Sequence, residues 1–268
     1  MHARGCVGCV RYCGFATILD MEQNTPVEMN SKKSMPLAIP IAIVVAAIVV
    51  AVAIFLGLFL GKKSDTAQTA AQPQQAAQPT TADPSKVSGG NDPYIGQANA
   101  PVTIYYFFDY QCPFCKQNEL STMPDVLKNY VDTGKVKIVY KDFEFLGPDS
   151  VTVGEWARAV WQLYPNQFQA WHDAIFQNEG TENSGWVTVA NLTKYTQTVP
   201  GIDVSQITAA IAKNQTTYDA AMAADKAQGQ PVGIQGTPSF VIGNQLIVGA
   251  EPYSTISTAI DTALKGTK

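Results

Sequence analysis

The chain has 268 residues, 46% of them hydrophobic and 10% aromatic, enough for one sizeable folded domain with accessory segments. A formal charge of -4 leaves no cationic surplus to neutralise a phosphate backbone, which argues against a nucleic-acid partner. Two histidines, His2 and His172, are too few for a histidine-rich metal site and disfavour a Ser-His-Asp hydrolase.

Residues 1–36 contain Cys6, Cys9 and Cys13 in "CVGCVRYC". No second Cys-x-x-Cys or histidine cluster completes four metal ligands, and Met21, Met29 and Met35 offer later starts from which these cysteines are never made. This stretch is read as an N-terminal cytoplasmic segment, in part untranslated. From Leu37 to Leu60 the chain carries no charge in 24 positions, about 36 Å of helix against a hydrocarbon core of about 30 Å, so a single transmembrane helix is expected. The run is longer than a signal-peptide core and "GLFLGKKS" lacks a small-residue cleavage site, which favours an uncleaved signal anchor. Lys62 and Lys63 balance Lys32 and Lys33 across it, and Arg4 and Arg11 tilt the count toward a cytoplasmic N-terminus. The remainder is therefore expected outside the cytoplasm, held at the cell membrane by one span. Residues 61–92, rich in Ala, Gln, Pro and Thr, bury too little to order themselves and are read as a flexible tether.

Residues 93–268 have the patterning of a folded α/β domain. "VTIYYFF" (102–108) is a strand buried on both faces. A helix begins near Cys112 and is kinked at Pro124, and "KVKIVYKDF" gives a second strand, making a right-handed parallel unit. Residues 149–228 are Ala-rich with helical periodicity and read as a helical insertion, with His172 a structural or surface residue rather than a base. "PSFVIGNQLIVG" is a hairpin around Gly243-Asn244, and a closing helix follows Pro252.

The chemistry lies in "FFDYQCPFCKQ", residues 107–117. A disulfide across two intervening residues closes a loop too small to stabilise much, and a structural zinc needs four ligands where this domain has two cysteines and one distant histidine. A strand followed by Cys-x-x-Cys at a helix start places Cys112 where free N–H groups and the helix dipole favour a thiolate. Cys112 is thus the nucleophile and Cys115 the resolving thiol, with Pro113 suited to the first turn and Phe114 beside them. Asp109 has two readings: a proton acceptor for Cys115, or a loop residue bonded to its own backbone.

This motif, a helical insertion and then "GIQGTPSFVIG" before a hairpin and terminal helix resemble the DsbA-like branch of the thioredoxin superfamily over nearly all of residues 93–268. The resemblance implies a thioredoxin-like fold with a helical insertion, a cis Pro238 facing the cysteines, and a Thr237 whose backbone meets a bound substrate peptide. It implies thiol-disulfide exchange with cysteines of exported proteins, no organic cofactor or metal, and a redox partner that resets the pair. Familiar members carry histidine where this chain has Phe114. An oxidant is expected, with reductase or isomerase activity the alternative. A Cu(I)-handling thiol chaperone is the rival from another class; Met123 would be its third soft ligand, poorly spaced from Cys115.

Overall fold

The computed structural model describes residues 80–267. The expected anchor at 37–60, residues 61–79 of the tether, and Cys6, Cys9 and Cys13 lie outside them; among the described residues no helix is long and apolar enough to cross a membrane.

Six strands form one sheet: β1 (Thr80–Thr81), β2 (Tyr94–Ile95), β3 (Val102–Phe108), β4 (Val136–Asp142), β5 (Ser239–Ile242) and β6 (Gln245–Val248), in the order β1-β6-β5-β3-β4-β2. β3 and β4 are parallel, with Val102 opposite Val136 and Phe108 opposite Asp142; every other pairing is antiparallel. β3 carries the frame. Its period-2 alternation sends Val102, Ile104, Tyr106 and Phe108 into the larger apolar core, while Phe107 joins Phe143, Val232, Ile234 and Val241 in a smaller one. The Tyr106 ring stacks on Phe240 of β5 with centroids 4.7 Å apart. Gly243 takes φ 57 in the turn from β5 to β6, as a two-residue hairpin loop requires.

Helix α1 (Pro113–Ser121) follows β3 directly and ends at Thr122; a short helix, α2 (Met123–Val126), and a π-helical turn at Leu127–Val131 continue the path to β4. The break falls beside Pro124, which has no N–H to give to the ladder. Four helices make the insertion: α3 (Pro148–Leu163), α4 (Phe168–Asn178), α5 (Val189–Thr196) and α6 (Val204–Gly229). Helix α7 (Tyr253–Gly266) closes the chain by burying Ile256, Ala259 and Ile260.

The tether boundary is corrected. The polar composition of residues 80–92 predicts a continuation of the flexible tether, yet the structure builds them into the domain. Thr80 and Thr81 pair with Leu246 and Gln245, and Ala82 and Val87 are buried in the smaller core. Asp92 enters a buried ion cluster that also explains why so polar a segment is ordered. Lys141 of β4 is fully buried between Asp92 and Asp225, and its Nζ also donates to the Ser88 carbonyl at 3.0 Å. Arg158 of α3 donates to Asp142 at 2.5 Å and Asp92 at 2.8 Å and pairs with Asp225 of α6. Two cations and three carboxylates thus fasten the entering chain, β4, α3 and α6 to one another. Removing one member of such a cluster strands opposite charge in the interior, where the penalty is about 3–5 kcal/mol. Lys141→Met is therefore expected to lower unfolding stability in urea by that order, and a midpoint equal to the wild type's would show that the cluster is not what fastens these elements.

Candidate active site

β3 ends at Phe108, and residues 109–111 turn the chain so that the Cys112 amide donates to the Asp109 carbonyl at 3.1 Å. Cys112 is the N-cap of α1, in extended conformation at φ -83 and ψ 112, with Pro113 in the first helical turn. The cap makes no side-chain hydrogen bond to the helix, and the amides of Phe114 and Cys115 are left to act on the Cys112 sulfur. Cys112 is 4% exposed and Cys115, one turn inward, is wholly buried; both are free thiols. Across the cleft Cys112 Sγ donates to the Thr237 carbonyl at 3.4 Å, and the Thr237–Pro238 peptide is cis. The fold thus brings Cys112, Cys115, Thr237 and Pro238 together from opposite ends of the domain. Phe114 points out, 59% exposed.

The two thiols are displaced in opposite directions. The Cys112 thiol falls to about 6, first because the Cys115 side chain hydrogen-bonds its sulfur, and further through the side chain of Thr237 and the amides of Cys115 and Phe114, against an opposing push from burial. The Cys115 thiol is raised well above its usual range by burial and then by the neighbouring Cys112 sulfur. The pair therefore holds one thiolate at neutral pH, on Cys112, and one proton, on Cys115.

Asp109 is held by backbone amides on both sides of the turn. It is fully buried, with Oδ1 accepting from the Gln111 amide at 2.8 Å and Oδ2 from the amides of Phe145 and Leu146 at 3.0 and 3.2 Å. It pins the turn before Cys112 to the loop after β4. His172 is likewise built in: fully buried among aromatic rings, with Nδ1 2.9 Å from the Tyr110 hydroxyl and Nε2 3.3 Å from Glu119. Met123 is 1% exposed in the larger core. Among the described residues no group of three or more His, Cys, Asp or Glu side chains is arranged to hold a metal ion.

Three residues that the sequence reading missed complete the surroundings. Gln111, fully buried, donates to Ser150 Oγ at 3.2 Å and accepts from the Asn183 amide at 2.9 Å, so it ties the residue before Cys112 to α3 and to the loop after α4. Lys116 donates to the Glu179 carbonyl at 2.6 Å, and Glu179 itself is 5% exposed. Only the position of Gln111 next to the motif could have drawn attention; Glu179 lies in "QNEGTENSG", which reads as an ordinary polar loop.

Absorbance of the thiolate in the reduced protein should titrate with a midpoint near pH 6. Because Cys115 is the first cause of that low value, Cys115→Ala should move the Cys112 midpoint upward. An unmoved midpoint would assign the stabilisation to the helix amides and Thr237 alone.

Comparison with known proteins places this geometry. A thioredoxin family model matches residues 88–262. The disulfide bond formation protein D of Bacillus subtilis is 28% identical over 174 residues, covering 65% of this chain and 78% of that protein. The oxidised crystal structure of BdbD from Bacillus subtilis superposes with a TM-score of 0.61 at 25% identity, over 71% of this chain and all of that one. A thioredoxin-like oxidoreductase from Silicibacter pomeroyi gives 0.55 at 28% identity, over 66% of this chain and 94% of its own. With a Cys-x-x-Cys pair capping the helix after β3, a cis-proline loop opposite, and helices inserted between them, the chain belongs to the thioredoxin family, as a DsbA-like thiol-disulfide oxidoreductase.

Proposed function

We propose that the protein works as an oxidant, passing a Cys112-Cys115 disulfide to cysteines of exported proteins from a domain tethered outside the cytoplasm by the apolar run at 37–60. The observation that carries the direction is the opposite displacement of the two thiols: Cys112 lowered to about 6, Cys115 raised. Stabilising one thiolate stabilises the reduced pair relative to its disulfide, and each 1.4 kcal/mol that carries through makes the couple about 30 mV more oxidising.

The steps follow from the same asymmetry. A substrate thiolate attacks Cys112 Sγ in the disulfide; the Cys112–Cys115 bond breaks and Cys115 leaves, taking a proton. A second substrate thiolate attacks the substrate sulfur of the mixed disulfide and expels Cys112, whose stabilised thiolate makes it the better leaving group. The substrate loses two electrons and the pair gains them, so a redox partner must withdraw them again. The reactive disulfide itself serves as the electron acceptor, and the chemistry calls for no organic cofactor or metal. Phe114, exposed within the motif, offers an apolar contact to a polypeptide, and the Thr237 backbone a place for an extended segment to lie. Asp109 and Pro113 act on the geometry of the turn and the first helical residue.

Cys115→Ala should accumulate mixed disulfides between Cys112 and exported proteins, whereas Cys112→Ala should accumulate almost none. Equal trapping by both would reverse or abolish the roles. For the location, a membrane-impermeant thiol label applied to intact cells should reach reduced Cys112; reaction only after lysis would place the domain where the cytosol keeps such pairs reduced, and the oxidant reading would fail.

A further inference from the structure

Besides Asp109, which accepts from three backbone amides, a second buried acid near Cys112 comes from the helical insertion. Glu179 is the first residue after α4, buried to 5% exposure, and its Oε2 lies in the interior with no hydrogen-bond donor. Its backbone carbonyl takes the Lys116 ammonium. The groups facing its carboxyl are Lys116 and Cys112 of α1 and Asp109 of the turn before it. On its own loop, exposed Glu182 is bonded to the Asn183 side chain at 3.2 Å. A buried carboxylate with one cation and up to two anions around it, and an oxygen left unpaired, is poorly placed to stay charged.

We propose that Glu179 is a redox-linked proton store: it takes up a proton when the Cys112-Cys115 disulfide is reduced and gives it back when the disulfide forms. The switch is the charge on Cys112. In the disulfide that sulfur is neutral; in the reduced pair it is a thiolate, and its field favours the neutral acid on Glu179. In the reduced state the Glu179 carboxyl is pushed up to about 8, by burial first, with Lys116 opposing and Cys112 and Asp109 adding to the rise.

The balance is closed without any further reactant. Disulfide plus two electrons and one proton gives the Cys112 thiolate and the Cys115 thiol; a second proton is taken by Glu179, making two protons for two electrons. Two substrate thiols supply both electrons and both protons as they become a disulfide. Glu179 thus acts through Cys112 as a positioning residue for a proton. It keeps the driving force of exchange steady with pH, since the reaction as a whole then releases no proton. The proposal rests on the exchange chemistry alone and holds in either direction, so its failure would leave the oxidant reading standing.

The test is the equilibrium of the full chain with reduced and oxidised glutathione, followed from pH 6.5 to 8, above the Cys112 midpoint near 6 and up to that of Glu179 near 8. Two glutathione thiols give up two protons. If the protein keeps only the one on Cys115, the constant for its reduction rises tenfold per pH unit; if Glu179 keeps the other, the constant is nearly flat. The wild type is expected to rise by clearly less than tenfold per unit, Glu179→Gln by about tenfold, and Glu179→Asp to regain the shallower slope. A tenfold slope in the wild type itself overturns the proposal whether or not the variants fold, and so does a Glu179→Gln slope equal to a shallow wild-type one.

Discussion

The arrangement depends on holding a single negative charge on one sulfur of a buried pair. An isolated anion in the interior is costly, and Cys112 at 4% exposure has little water to help it. Its stabilisation is assembled from groups that already had to be there: the N–H groups that a helix start leaves unpaired, the thiol of Cys115 one turn on, and the side chain of Thr237 from the loop before β5. The first two come from α1 and the third from more than 120 residues on, so the charge is stable only when α1, aimed by the turn after β3, and the loop before β5 are in place together.

This requirement accounts for the rigidity around the motif. The turn between β3 and α1 must aim the sulfur, and the carboxylate of Asp109 fixes it by accepting from three amides, two of them in the loop after β4. The same three hydrogen bonds give Asp109 the loop-fixing role that its sequence position allowed. The loop after β4 is in turn set by β4 itself, and β4 by the ion cluster around Lys141 and Arg158. The cluster includes no cysteine but fixes the strand from which the Asp109 partners hang.

The parts legible in the sequence were those whose signal is local. The unbroken β-branched and aromatic run of 102–108, Gly243-Asn244 between two short apolar runs, and the helical spacing from 149 to 228 each specify an element from adjacent residues. Cys-Pro-Phe-Cys carries its own chemistry because its neighbours in sequence are its neighbours in space. The interactions that stayed hidden join distant residues of types normally found in water. Lys141 meets Asp92 and Asp225 from 49 and 84 residues away, and nothing in "SGGNDP" distinguishes an aspartate that will be buried from one that will be solvated. The same limit hid Glu179, and it set the tether boundary about a dozen residues too late.

The helical insertion then has a role beyond covering the sheet. In the strand-helix-strand frame alone, the turn before Cys112 would have the sheet on one side and solvent on the other. The insertion supplies the missing wall: Ser150 at the start of α3 and Asn183 after α4 both bond Gln111, the residue next to the nucleophile. Asn183 does so with φ 53, a left-handed conformation that asparagine tolerates better than most residues and that turns its amide toward Gln111. Once that loop is docked, Glu179 four residues earlier is carried against Lys116, one turn along α1 from Cys112, into a setting dry enough to raise its carboxyl. The core frame places the thiolate at a helix start with Asp109 in the turn before it, and the insertion adds a second buried acid on the Lys116 side of α1.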